Sequence, residues 1–260
     1  MGLFKRINLA LSRRIHWRLP NALTEPLFPD YERLILQYVS KLDAGTVLDV
    51  GAGYLLPDSL KYQRNPNITL IGMDILPSSL EKNTDIDAAV IADACKPWPF
   101  EDNSIDVVFS RSVMEHLYDN ETFVSEMHRT LKPGGICIHV LPGKHAPFSI
   151  LNRLLPNKVT KMLVEWAFPE RKGELGFVAY YHHCSPPALQ RLFERNGFSI
   201  EYERLRYYQS AYYVSVFPVF LLSAGYDWLM WKLGTIRLAS QILIVAKKPV
   251  ITENQPERVE

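Results

Sequence analysis

Three aspartates near the ends of successive predicted strands are the residues of this sequence best suited to bind a ligand. Asp49 lies in VLDVGAG, Asp74 ends LIGMD, and Asp93 follows VIA. The carboxyl ends of adjacent parallel strands line one crevice, so these carboxylates should converge. Asp74 lies 21 residues after Gly53, close to the spacing of a carboxylate that accepts hydrogen bonds from two ribose hydroxyls. One such aspartate could simply cap a helix, but three favour a nucleoside pocket.

Two glycines accompany the first aspartate. Gly51 and Gly53 let the backbone approach a ligand more closely than side chains would allow. A dinucleotide fingerprint would require a further glycine where this chain has Leu56, and without it the next helix leaves no room for a pyrophosphate. The expected ligand is therefore a nucleoside without phosphates, which argues against a nicotinamide dehydrogenase.

The elements that position these residues alternate between short apolar runs and helical stretches, which is the arrangement of βαβ units. Parallel strands joined by right-handed crossovers are the simplest topology. The predicted strands are 46–50, 68–73, 88–91, 105–110, 135–141, 198–203 and 240–247. The predicted helices are 31–42, 113–131 and 188–196.

The chain is expected to form one main domain over residues 26–250, with insertions at about 143–180 and 207–238 and a flexible tail over 251–260. The second insertion contains a long uncharged stretch. A single membrane crossing there would leave the last predicted strand on the wrong side of the membrane, so a helical hairpin is predicted instead.

Residues 1–25 predict a basic amphipathic helix, with an apolar face and five basic residues among the first 20. Such a helix suits a membrane surface, or it packs on its own domain with solvated arginines. Residues 1–20 and 207–238 are therefore the candidate membrane contacts. The formal net charge of +1 gives no global attraction to nucleic acid, and three cysteines without metal-like spacing predict free thiols in a cytoplasmic protein.

Taken together, VLDVGAG, PWPFEDNSIDVVFS, MEHL and LKPGG resemble the class I S-adenosylmethionine-dependent methyltransferases, in the broad small-molecule group with a type-11 methyltransferase domain. The resemblance runs from about residue 31 to 141 and returns at 182–198 and at the last strand. It implies an α/β, Rossmann-like, seven-stranded and mostly parallel sheet, with an antiparallel last strand, helices on both faces and a helical insertion before that strand.

The resemblance also implies the roles of individual residues. Gly51, Ala52 and Gly53 would face the methionine part of S-adenosyl-L-methionine, with Asp49 near its amino group. Asp74 would hold the ribose hydroxyls, and no metal is expected. The other implied cofactor-binding residues are Ile75 beside the ribose aspartate, Asp93 and Ala94 at the adenine, and Ser110 and Arg111 bordering the reactive methionine end.

A general base is needed mainly when the acceptor is a hydroxyl. His116 in VMEHL and His145 in LPGKHAP are the candidates, because both follow strands at the carboxyl edge. His116 could instead be a helix residue bonded to the next element. His182 and His183 could be structural, and His139, inside an apolar strand, is predicted to be a core residue.

These observations predict a methyltransferase that acts on a small-molecule or a lipid- or glycan-linked acceptor, and the cytoplasmic membrane face is the expected place where it would meet a lipid-linked acceptor. The alternative is a non-catalytic, membrane-associated module that binds S-adenosylmethionine. A nucleic-acid substrate is disfavoured. The sequence leaves the acceptor atom and the oligomeric state open.

Overall fold

The computed structural model describes residues 2–53, 56, 58–156, 158–160, 162 and 178–250. These residues contain a seven-stranded sheet in the order β3-β2-β1-β4-β5-β7-β6. Strands β1 to β5 are parallel, and β7 runs antiparallel to both of its neighbours. The strands are β1 Gly45–Val50, β2 Ile68–Asp74, β3 Ala88–Ile91, β4 Ile105–Arg111, β5 Leu131–Pro142, β6 Ser199–Arg206 and β7 Gln241–Lys247.

Helices cover both faces of the sheet, because the central strands are apolar on both sides. Helices α3 and α4 pack with Val47, Val107 and Phe109 on one face, whereas α6 and α8 pack with Leu48 and Val108 on the other. The α-helices are α1 Leu3–His16, α2 Asn21–Thr24, α3 Phe28–Val39, α4 Asp58–Gln63, α5 Pro77–Leu80, α6 Asn120–Thr130, α7 Pro147–Leu154, α8 Pro186–Arg195 and α9 Phe217–Leu233.

This architecture confirms the implied fold class and all seven predicted strands, with small shifts at their ends. The predicted helix over 113–131 is wrong as one element. A short 3-10 helix, Met114–His116, is separated from α6 by the turn at Asp119, whose carboxylate accepts hydrogen bonds from the Glu121 and Thr122 amides, each at 3.0 Å. An aspartate that accepts these bonds starts a new helix.

The predicted hairpin over 207–238 is also wrong, because the segment contains a single long helix, α9, flanked by 3-10 turns. The buried carboxylate of Asp227 in α9 accepts hydrogen bonds from the amides of Gln209 and Ser210, both at 2.9 Å. The Asp227 carboxylate thus fixes residues 209–210 against α9. Within the described ranges, no helix is both long and apolar enough to cross a bilayer.

Helix α1 packs against the domain through polar side chains. The Asn8 side chain accepts a bond from the Phe217 amide at 2.7 Å, and the Ser12 hydroxyl donates to the Val214 carbonyl at 3.0 Å. His16 Nδ1 lies 2.7 Å from the Tyr208 hydroxyl. The apolar side chains beside this polar face remain exposed: Leu3, Phe4, Ile7 and Leu11.

The first predicted insertion begins with α7, and residues 157, 161 and 163–177 of it lie outside the described residues. The predicted tail over 251–260 lies outside them as well. Cys95, Cys137 and Cys184 are free and buried, as predicted.

Candidate functional site

The loop after β1 forms a tight turn at the carboxyl edge of the sheet. Gly51 and Gly53 adopt positive φ angles of 71° and 52°, which glycine reaches without steric cost. The amides of Gly51 and Ala52 donate to the Met73 carbonyl at 2.7 and 3.2 Å, so the turn is anchored to β2. A Cβ atom at Gly53 would have no atom of the described residues within 4 Å, its chain neighbours apart. The turn therefore leaves room for a ligand against its backbone.

The two glycines should differ in their tolerance of substitution. A Cβ at Gly51 would lie 2.3 Å from Cγ2 of Val113, whereas one at Gly53 would have no atom within 4 Å among the described residues outside its chain neighbours. We expect Gly53→Ala to cost only the strain of a positive φ, about 1–2 kcal/mol of unfolding free energy, and Gly51→Ala to cost clearly more. Urea unfolding of both variants measures this difference. Equal losses would contradict the close contact with Val113.

Asp74 sits at the end of β2 and braces the glycine turn. One carboxylate oxygen accepts a bond from the Gly53 amide at 3.0 Å, and the other accepts from Leu76 at 2.9 Å. Each carboxylate oxygen can accept further bonds, so the group retains capacity for hydroxyl donors. The turn and the predicted ribose carboxylate are thus held together directly.

Asp49 is buried behind the turn. Burial raises the pKa of its carboxyl well above the ordinary value; the Arg111 charge opposes that rise, and the Asp74 charge adds to it. Among the described residues no ion pair to Asp49 lies within 4.0 Å. A buried acid beside an open turn is suited to a cationic ligand group, because an approaching positive charge favours the carboxylate.

Asp93 follows β3 and is held by two donors. Its carboxylate accepts bonds from the Cys95 amide and the Tyr118 hydroxyl, both at 2.9 Å. The bond to Asp93 is the largest cause that raises the pKa of Tyr118 to about 12. Sequence reasoning missed Tyr118, although an aromatic residue directly after MEHL could have indicated it. Neighbouring Ala94 accepts a bond from the Trp98 ring nitrogen at 3.2 Å, which fixes the backbone there.

The remaining predicted cofactor residues separate into two groups. The side chain of Ile75 is half exposed beside Asp74, and Arg111 lies at the end of β4 with its guanidinium over the Phe28 ring. Ser110 points the other way: it is buried and lies 2.7 Å from His139 Nδ1. Adjacent strand residues face opposite sides of a sheet, so the side chains of Ser110 and Arg111 point in opposite directions. His139 is a buried core residue, as predicted.

The two candidate bases lie in different surroundings. The ring of His116 lies 3.1 Å from the Val178 carbonyl through Nδ1, which therefore carries the proton, and burial lowers its pKa. The pKa of His145 is lowered by burial and then by the charges of Lys144, Arg153 and Arg237. Both imidazoles are accordingly neutral near pH 7 and able to accept a proton.

The structure therefore brings Asp49, the glycine turn, Asp74, Ile75, Asp93 and Ala94 to one edge of the sheet, with Arg111 beside them, and leaves Ser110 in the core. Within the described ranges no group of three or more His, Cys, Asp or Glu side chains could hold a metal ion. The anchored glycine turn leaves its backbone open to a ligand. Asp49 is suited to an amine donor and Asp74 to hydroxyl donors, and this combination fits a nucleoside that carries a positive charge.

Comparison with known proteins identifies the central part of the chain. A family model described as "Methyltransferase domain" matches residues 48–139. The 2-methyl-6-phytyl-1,4-hydroquinone methyltransferase of Synechocystis sp. is 33% identical over 98 residues, which are 36% of this chain and 30% of the relative. Phosphoethanolamine N-methyltransferase 2 of Caenorhabditis elegans is 45% identical over 47 residues, 18% of this chain and 11% of the relative. The chain thus matches less than a third of the length of either relative.

Solved structures share the fold over most of the chain. Haemonchus contortus phosphoethanolamine N-methyltransferase 2 in complex with S-adenosyl-L-methionine has a TM-score of 0.51 at 18% identity, covering 85% of this chain and 52% of that one. Geranyl diphosphate C-methyltransferase from Streptomyces coelicolor has a TM-score of 0.54 at 13% identity, covering 85% and 81%. At these identities the likeness establishes the architecture alone.

Proposed function

We propose that this chain transfers the methyl group of S-adenosyl-L-methionine to a small-molecule acceptor, because residues 48–139 match the family model of a methyltransferase domain. The observation that carries this proposal is the glycine turn whose Gly53 amide donates to Asp74. That contact joins the open backbone to a carboxylate suited to ribose hydroxyls. The relatives with named substrates also act on small molecules, a hydroquinone and phosphoethanolamine.

We assign a role to each residue at this edge of the sheet. Asp74 holds the ribose hydroxyls, and the buried carboxylate of Asp49 attracts the amino group of the methionine part. Asp93, Ala94 and Ile75 border the adenine. When bound, the cofactor supplies an electrophilic methyl group on a positive sulfonium. The chain contributes chiefly position, since holding the reacting atoms in line supplies much of the rate.

A hydroxyl acceptor would also need a proton acceptor. His116 and His145 are the proposed groups, because both are neutral near pH 7 and both follow strands whose carboxyl ends form the site edge. An amine acceptor that is already neutral would need neither of them.

Calorimetric titration with S-adenosylmethionine and S-adenosylhomocysteine tests the proposal, with nicotinamide adenine dinucleotide as the control. We expect saturable binding of the first two and none of the control, because Leu56 replaces the glycine that a pyrophosphate requires. Absence of binding to either sulfur nucleoside would refute the assigned function.

The finer part of the proposal is that the acceptor is lipid-linked and is met at an anionic membrane surface. Helices α1 and α9 pack against each other, and both expose apolar side chains. Those of α1 are Leu3, Phe4, Ile7 and Leu11; those of α9 include Leu222 at 78% and Leu233 at 63% exposure. No acidic residue precedes Glu25, whereas four arginines of this segment are exposed. Apolar insertion with basic neighbours is the pattern of interfacial helices.

A triple substitution tests the membrane contact. We expect Phe4→Ser, Ile7→Ser and Leu11→Ser together to weaken co-sedimentation with phosphatidylglycerol vesicles about tenfold or more, since exposed apolar side chains supply the insertion. The polar contacts of Asn8 and Ser12 to the domain stay intact. Tyr62→Ser removes an equally exposed ring on α4 and is the matched control. Unchanged partitioning of the triple variant would exclude this surface.

A further inference from the structure

A cavity of about 190 Å³ lies where β5 and β6 end and β7 begins. Four aromatic side chains and one guanidinium contribute to its wall: Phe28, Phe148, Tyr208, Tyr212 and Arg206. The rings of Phe148 and Tyr212 are stacked, with centroids 4.0 Å apart and planes within 7° of each other. The wall is therefore partly flat and apolar, with a single strong charge.

The guanidinium of Arg206 is held in place by two neutral acceptors. It donates to the Gln241 side chain and the Thr24 carbonyl, each at 3.0 Å, while its buried Nε has no hydrogen-bond partner among the described residues. In the part of the chain that the structure describes, no carboxylate lies within 4.0 Å of it. Arg204, two residues earlier, instead pairs with both Glu25 and Asp30.

Burying the charge of a guanidinium without a carboxylate beside it costs free energy, and an anion in the cavity would offset that cost. Arginine stays charged in proteins, and its planar fork matches carboxylate and phosphate oxygens. Because Gln241 and Thr24 fix the group from two sides, Arg206 needs little reorganisation to bind an anion that enters the cavity.

The cavity adjoins the proposed methyl-donor site. Phe28 lines it, and the same ring lies under the guanidinium of Arg111 at 5.7 Å. Arg111 ends β4 and pairs in register with Val140, two residues before Pro142 in the cavity wall. The cavity thus lies at the carboxyl edge of β5, and the Phe28 ring in its wall contacts Arg111 at the end of β4, beside the proposed methyl-donor site.

We propose, building on the proposed function, that this cavity binds the methyl acceptor, and that the acceptor presents a compact planar group bearing an anionic oxygen to Arg206. The volume is below that of pockets for whole drug-sized ligands, so it suits about one ring. The aromatic wall contacts the ring, and Arg206 pairs with a carboxylate or a phosphate.

The test is calorimetry on protein saturated with S-adenosylhomocysteine, titrated with benzoate, phenyl phosphate and neutral benzamide. We expect at least one anion to bind about tenfold or more tightly than benzamide, since a charge-assisted pair replaces a neutral contact. The tighter anion identifies the acceptor group. Arg206→Gln should remove the preference, whereas Arg191→Gln, an exposed arginine on α8, should keep it.

The outcomes separate the two proposals. If wild-type protein does not bind S-adenosylhomocysteine, the proposed function fails. If it does, but benzoate, phenyl phosphate and benzamide bind equally or not at all, the anionic acceptor is refuted. An anion preference that survives in Arg206→Gln also refutes the role of Arg206. Should that variant not fold, Arg206→Lys keeps the charge but loses the planar fork, and its preference should fall below that of wild type.

Discussion

Replacing Asp74 with alanine is expected to weaken binding of S-adenosylhomocysteine about a hundredfold. Two charge-assisted hydrogen bonds from ribose hydroxyls would be lost, each worth roughly 1.5 kcal/mol or more. The substitution also removes the acceptor of the hydrogen bond that the Gly53 amide donates to Asp74 at 3.0 Å. The glycine turn therefore loses a stabilising contact as well. Affinity is measured by calorimetry, and the unfolding midpoint of the same sample reports any loss of stability.

Asp43→Ala is the matched control for this measurement. Asp43 is exposed and precedes β1, so it lies at the opposite edge of the sheet from Asp74. Removing its carboxylate should leave the affinity for S-adenosylhomocysteine unchanged. Wild-type affinity in Asp74→Ala would show that ribose recognition lies elsewhere.

The second large effect is expected at Glu115, a buried acid in MEHL. Burial raises the pKa of its carboxyl from 4.5 to about 8, and one of its oxygens has no hydrogen-bond partner in the part of the chain that the structure describes. Between those pH values the folded protein keeps a proton that the unfolded chain has released. Stability contributed by this group is therefore full below about pH 4.5 and falls as the pH rises to about 8, by on the order of 5 kcal/mol.

Glu115→Gln should remove this pH dependence. The amide has nearly the same shape and does not ionise, so the variant should gain on wild type as the pH rises and keep that gain above about pH 8. The groups around the carboxyl are His116, with Nε2 3.9 Å away, Tyr181 and Cys184. Urea unfolding at pH 5, 7 and 9 measures the difference, with exposed Glu101→Gln as the control. Parallel pH profiles for wild type and Glu115→Gln would contradict the buried, protonated state.

The sheet was predictable because its signals are local. Apolar runs that end in Asp or Gly mark β1 and β2, and their order along the chain leads directly to parallel pairing. The break at Asp119 was missed because the apolar spacing of 113–131 continues through it. Only the capping bonds to Glu121 and Thr122 show where α6 begins. A hydrogen bond from a side chain to a nearby backbone amide competes with a continuous helix, and helix propensity averaged over a long window does not reveal it.

The way in which helix α1 packs on the domain could not be predicted from the sequence, for a different reason. Its apolar face suggested the side that would be buried, yet Asn8 and Ser12 make the contacts. Their partners, Phe217 and Val214, lie about 200 residues further along the chain. No periodicity records such a pairing.

In the candidate site, too, residues with a local sequence signal were predictable and residues defined by distant contacts were not. Asp49, Asp74 and Asp93 were identified by their positions at strand ends, which are local features. Arg206 was not identified, because it differs from other arginines only in that no carboxylate of the described residues pairs with it, and Arg204 two residues away looks the same in the sequence. The structure distinguishes them, since only Arg204 has Glu25 and Asp30 beside it.

The position of β7 has a consequence for how the protein is made. This strand lies between β5 and β6, although it is the last of the seven in sequence. Until residues 241–247 have been synthesised, the long apolar strand β5 has one open edge and β6 has no partner in the sheet. A nascent chain therefore carries an incomplete sheet until β7 has been synthesised, and factors that shield unpaired strand edges should matter most in that interval.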